Sequence, residues 1–227
     1  MKSIHQHTEN PRRAFLGKLA AGAIAVGTAT LPSSAHAASG FSIGDSDDPE
    51  AWLSKIKGKH RISFDVTGPN EIMPFAWPRI FLVTNGKAQD CGVVVILRHN
   101  AIPYAMGNDL WEKYKFGEAF KIDDPKTKSP STRNPFWQPQ TGDFTVPGIG
   151  NVDIGINQLQ SDGVLFCVCN MALTVFSTAF AGKMNLNADD VKKEWLAGIL
   201  PGVQVVPSGV WAVGRVQEHG CSYCFAG

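Results

Sequence analysis

Apolar positions in this chain fall into short runs separated by stretches of helical spacing. "KHRISFDV" (59–66) reads as a strand, and "TGPN" then opens a segment whose Met73, Phe75, Trp77, Ile80 and Phe81 recur at roughly helical intervals. "CGVVVILRHN" (91–100) is a near-continuous β-branched run that ends in charge, the pattern of a strand buried on both faces. Strand, helix and buried strand together begin a βαβ unit.

Further along, the pattern predicts a short helix around 109–115, a long irregular piece, and a helix over 152–160 that stops at "SDG". "GVLFCVC" (163–169) supplies a third strand, and "NMALTVFSTAF" a helix behind it with Asn170 as its N-cap. In "NADDVKKEWLAGIL" Asn187 caps, Asp189 and Asp190 occupy the first turn, and Gly202 stops the helix. "VQVVP" is a fourth strand, "SGVWAVGRVQEHG" a helix capped by Ser208, and "CSYCFAG" a fifth strand. Five strands alternating with helices predict an α/β fold: a three-layer α/β/α sandwich around a five-stranded, mostly parallel sheet.

Residues 121–150, "KIDDPKTKSPSTRNPFWQPQTGDFTVPGIG", interrupt this rhythm with five prolines and no apolar period. A loop of that length inside a compact domain serves as a lid, a binding loop or an oligomer arm, or is laid on its own domain surface. Phe136 and Trp137 are its expected anchors, with Trp137 a candidate for substrate contact.

The N-terminus changes the setting. "PRRAFLGKLAAGAIAVGTATLPSSAHAAS" pairs Arg12 with Arg13, follows with a short, mildly apolar stretch, and ends in Ala35-His36-Ala37. This predicts a twin-arginine export signal over 1–37, a linker over 38–58 and an α/β domain over 59–227. The expected location is the periplasm, reached through the twin-arginine translocase, with no membrane anchor in the mature form. The first 37 residues hold four Lys/Arg and one Asp/Glu, leaving 17 basic and 19 acidic side chains, formally −2. That balance argues against a nucleic-acid partner. All five cysteines survive processing and would enter an oxidising compartment.

In open parallel sheets, ligands bind at the carboxyl ends of the strands. Those ends carry Thr67-Gly68, Arg98-His99-Asn100, Cys169-Asn170 and Pro207-Ser208-Gly209. A histidine and a cysteine on consecutive strands therefore arrive at one end of the sheet. Cys169 also precedes a helix start, where free amides and the macrodipole favour a thiolate. It is the candidate nucleophile, persulfide carrier or metal ligand, with His99 and Arg98 beside it and Asn100, Asn170 and Ser208 as candidate binding groups. Arg98 has an alternative use as an ion-pair partner of Asp109 or Glu112, and Cys167, deeper in the strand, reads as core.

"CSYC" near the end places Cys221 and Cys224 three apart in a strand, hence on opposite sides. Pairing of either with another cysteine, or across subunits, suits them better than an internal redox couple. No phosphate-binding glycine loop, nucleophile elbow or paired metal-binding histidines appear, which disfavours nucleotide-dependent and hydrolytic chemistry.

"VVVILRHNAIPYAM", "LQSDGVLFCVCNMAL" and "PGVQVVPSGVWAVGRVQEHGCSY" together resemble the DsrE/DsrF-like family, including its YchN-like members, over most of 60–227. The resemblance implies a homo-oligomer that carries sulfur as a persulfide on a cysteine after the third strand, here Cys169. The export signal, the 121–150 insertion and the two cysteines of the last strand depart from that pattern. A different class of function, a non-catalytic protein binding a metal or haem through His99 and Cys169, is the alternative. The sequence itself names no cofactor.

Overall fold

The computed structural model describes residues 48–86 and 88–227; the expected export signal lies outside the described residues. Along the chain run α1 (Pro49–Leu53), β1 (His60–Val66), α2 (Met73–Thr84) and β2 (Cys91–Leu97). A 3₁₀ turn (His99–Ala105) leads to α3 (Asn108–Tyr114), α4 (Phe116–Phe120), the hairpin strands β3 (Thr145–Val146) and β4 (Gly150–Asn151), and α5 (Ile156–Ser161). The last third comprises β5 (Leu165–Cys169), α6 (Asn170–Met184), α7 (Ala188–Ala197), β6 (Val203–Val206), α8 (Gly209–Glu218) and β7 (Ser222–Phe225).

Five strands form one sheet in the order β6-β5-β2-β1-β7, and every pairing is parallel. From β1 through β2 and β5 to β6 the chain steps one strand at a time in one direction. Crossovers of uniform hand then place α2 to α7 on the same face. There Phe64, Val66, Val95, Leu97, Phe166 and Val168 pack against Phe75, Trp111, Phe180 and Trp195. After β6 the direction reverses: α8 crosses the other face and sets β7 beyond β1. On that second face Val94, Ile96, Cys167 and Val206 meet Ala212 and Val216 of α8 and Trp52 and Leu53 of α1. With both faces covered, all seven residues of β2 are buried, as its unbroken apolar run requires. The result is a three-layer α/β/α sandwich whose sheet is wholly parallel.

Element ends differ from expectation at four places, each for a local reason. α6 is capped by Cys169 rather than Asn170, because β5 runs on to Cys169 and its Sγ accepts a hydrogen bond from the Ala172 amide at 3.3 Å. α7 ends at Gly198 instead of Gly202, since Ile199 bridges to Met106 and the Leu200 amide donates to the Ala105 carbonyl at 2.8 Å. α5 starts at Ile156, later than 152, because the Val152 amide is committed to the Phe144 carbonyl at 3.1 Å. β2 stops at Leu97, and His99 turns the chain with a left-handed φ of 51°. In addition, α1 lies within the stretch read as linker, too short at five residues to show a helical period.

The 121–150 insertion is laid on its own domain. Phe136 is buried, stacked on Phe75 at 4.1 Å and on Phe144 at 4.8 Å between ring centroids. Asn134, fully buried, donates from Nδ2 to the carbonyls of Tyr104 (2.8 Å) and Met106 (3.1 Å), and its Oδ1 accepts from the Phe136 amide at 3.1 Å. One asparagine thus satisfies backbone groups that the missing regular structure leaves open.

Candidate functional site

Neighbouring strands β5 and β6 are followed by helices on opposite faces, α6 on the first and α8 on the second. Their carboxyl ends therefore flank the topological switch point, the crevice where open α/β sheets bind ligands. Cys169 ends β5 and Ser208 follows β6 there. A cleft of about 280 Å³ opens between them, lined by Arg98, His99, Cys169, Ser208 and Gly209 on its polar side. Met171, Val175, Phe176 and Val210 form its apolar wall.

Each polar group is placed by the fold. Cys169 is only 7% exposed and holds the first turn of α6 through its sulfur. The Ser208 hydroxyl accepts from the Trp211 amide at 3.1 Å, capping α8. Two helix N-termini thus meet at one crevice, and their amides bias it toward negative charge. The exposed His99 ring lies edge-on to Phe176, with centroids 5.9 Å apart.

Arg98 is bound to neither Asp109 nor Glu112. Its Nε and Nη2 donate to the two carboxylate oxygens of Asp65 at 2.7 and 2.8 Å. Asp65 stands in β1 with 1% exposure, and the Tyr223 hydroxyl of β7 donates to its Oδ2 at 2.9 Å. The hydrogen bond with Asp65 raises the Arg98 guanidinium above its ordinary value, so this cation is permanent. Burial, then the bond to Asp65, raises the Tyr223 phenol. Arg98 reaches the carboxylate by crossing the start of α8: a Cβ on Gly209 would lie 2.5 Å from Arg98 Cβ and 2.6 Å from its Cδ. Only glycine leaves room for that path.

The structure brings Arg98, His99, Cys169 and Ser208 to one cleft, as expected, and leaves three candidates outside its lining. Asn100 follows His99 into the turn, where its amide donates to the Thr67 carbonyl at 2.9 Å. Asn170 is buried at 2% exposure, and its Oδ1 accepts no hydrogen bond among the described residues. Trp137 packs half-buried against the first-face core. Asp65, Tyr223 and Gly209 escaped sequence reasoning. The signal for Asp65 was a carboxylate in an otherwise apolar strand end, "SFDV", on the strand beside an arginine two positions beyond its register partner Ile96.

Cys167, Cys169, Cys221 and Cys224 are free thiols. Cys221 packs in the second-face core and Cys224 against the first-face core, so these two do not pair with each other. Burial raises the Cys167 thiol, with lesser contributions from Cys169 and Asp65, and burial likewise raises Cys221 and Cys224. Among the described residues no three His, Cys, Asp or Glu side chains converge as a metal site, so His99 and Cys169 have no third protein ligand of these types.

No protein-family model matches the chain, and no curated protein does. Among solved structures, a protein of unknown function from Methanobacterium thermoautotrophicum is similar at 18% identity, over 73% of this chain and 98% of its own, with a TM-score of 0.36.

Proposed function

We propose that this is an exported, DsrE-like thiol protein that takes up and passes on sulfur as a persulfide on Cys169. The observation that carries this reading is the position of Cys169: the last residue of its strand, at the switch point, capping a helix and facing a cleft that holds a permanent cation, an imidazole and a second helix start. The thiolate is the reactive form of a cysteine, and the sulfur of Cys169 already accepts a hydrogen bond from the Ala172 amide at the helix start.

The step is balanced without an added oxidant. The Cys169 thiolate attacks the outer, sulfane sulfur of a donor persulfide R–S–SH; the donor S–S bond breaks and R–S⁻ leaves with the electron pair. Cys169 then carries S–SH. The His99 ring, exposed in the lining of the cleft, is the proposed proton donor to the leaving thiolate. Met171, Val175 and Val210 give the cleft an apolar rim against which the uncharged part of a donor can lie.

Incubating the reduced, purified protein with cysteine persulfide and recording intact and peptide masses tests this. One adduct of about 32 Da, a single sulfur atom, is expected on the peptide bearing Cys169, removed by reductant and absent in Cys169→Ser. Adducts spread equally over the other cysteines, or no adduct, would overturn the reading.

A further inference from the structure

A second cavity, of about 540 Å³, lies between the 121–150 insertion and the loop after β1. Its walls are apolar: Ile72, Phe136 and Phe144 enclose it, the latter two being neighbours in the ring stack that docks the insertion. Tyr104 lines the same cavity. The residue is 1% exposed, its ring packs edge-on against Phe75 and Phe136, and its hydroxyl makes no hydrogen bond to any described residue. A hydroxyl that has no protein partner and is reached through a cavity is free to donate to a molecule from outside the chain. Burial raises the Tyr104 phenol, so the group remains a donor.

The mouth carries Glu71, Asp123 and Asp124 against Lys121 and Lys128; Asp124 pairs with Arg133, and the other four make no ion pair among the described residues. The unpaired charges, two of each sign, give the entrance no preference for a net charge. Glu71, Lys121 and Lys128 all hold left-handed φ, 48°, 57° and 55°, a conformation that non-glycine residues rarely keep unless their surroundings impose it. Aromatic walls, one donor at depth and a charge-balanced mouth describe a preformed small-molecule pocket, and its size falls in the range of such pockets.

We propose that this cavity is a binding site for a small, uncharged aromatic molecule bearing a hydrogen-bond acceptor, an aryl ketone in chemical class, whose oxygen takes the Tyr104 hydroxyl proton. The site is separate from the Cys169 cleft and gives the insertion a role as a binding loop.

Acetophenone and ethylbenzene share size and shape and differ in the carbonyl, so they test the idea directly. Titrations of the protein followed by amide chemical shifts should show saturable acetophenone binding, with shifts centred on 121–128 and Phe144. Ethylbenzene should bind roughly 10-fold more weakly, the worth of one hydrogen bond. Tyr104→Phe removes only an unbonded hydroxyl and should leave the fold intact while bringing the two affinities together. No saturable binding, equal affinities in the wild type, a difference that survives Tyr104→Phe, or shifts centred on Cys169 would each overturn the proposal.

Discussion

Arg98 meets Asp65 fork to fork, with Nε to Oδ1 at 2.7 Å and Nη2 to Oδ2 at 2.8 Å, and the carboxylate is almost wholly buried. Such a pair orients the guanidinium as rigidly as a backbone turn does. Its loss on one side leaves a buried charge without compensation. Arg98→Met, which leaves the Asp65 carboxylate buried without its cation, should therefore lower the urea midpoint by the equivalent of about 3 kcal/mol with an unchanged slope. Tyr223→Phe, which deletes a single hydrogen bond to the same carboxylate, should cost about 1 kcal/mol. Equal costs would show that the carboxylate is held by something other than Arg98.

Two glycines of α8 make opposite predictions. Among the described residues nothing lies within 4 Å of where a Cβ on Gly214 would be, so Gly214→Ala should stabilise by about 0.5–1 kcal/mol through helix propensity. Gly209→Ala would put a methyl into the Arg98 side chain and should destabilise by about 1–3 kcal/mol. Thermal melts of the two variants, run side by side, check the sign of each.

The sulfur of Cys169 serves as a cap, which sets its structural cost apart from its chemical one. Cys169→Ser keeps a capping acceptor and should remain within a few tenths of a kcal/mol of wild type. Cys169→Ala should lose about 1 kcal/mol. Both should abolish persulfide uptake. A serine variant that still takes up sulfur at wild-type rate would remove Cys169 from the chemistry.

Buried thiols should resist alkylation. Cys167, fully enclosed and with its thiol raised by burial, should react with iodoacetamide only at the rate of unfolding, while Cys169 at the cleft reacts in the native state. Peptide mapping over time separates the two residues.

The insertion carries an acid-sensitive lock. Burial alone would raise the Asp143 carboxyl, but contacts with Lys126, the Gln140 amide and Arg133 outweigh it and hold the group below its ordinary 3.8. A depressed carboxyl contributes stability that is complete above the ordinary value and is lost as the pH falls through the folded one. Acidification below 3.8 should thus loosen the insertion, seen as a change in tryptophan fluorescence as Trp137 becomes exposed. Asp143→Asn should remove that transition.

What could be read in advance follows the range of the interactions involved. The apolar run of β2 declares a strand covered on both faces without reference to any other segment, and Asn187 and Ser208 cap their helices through atoms two or three residues away. Cys169, His99, Arg98 and Ser208 converge because parallel strands must share one end. The Asp65–Arg98–Tyr223 cluster depends on which strands lie side by side, and β7 lies beside β1 only because α8 crosses the far face. Propensity also misled at the start of α6: asparagine is the better cap, yet the strand keeps its ladder through Cys169 and the cap falls to sulfur. The insertion was opaque for a related reason. Its order comes from Asn134 and Phe136 meeting partners some thirty or more positions away, with no period of its own.

The reversal that brings β7 home joins positions 160 residues apart: Ile62 pairs with Ser222, and the Thr67 amide donates to the carbonyl of Gly227 at 2.6 Å. Translation proceeds from the other end. Until β7 has emerged from the ribosome, β1 stands with its outer edge bare, Asp65 lacks its tyrosine, and no rearrangement of the segment before β7 can supply either. The sheet is thus completed only once β7 has left the exit tunnel, and the contacts between distant ends of the domain are the last to form.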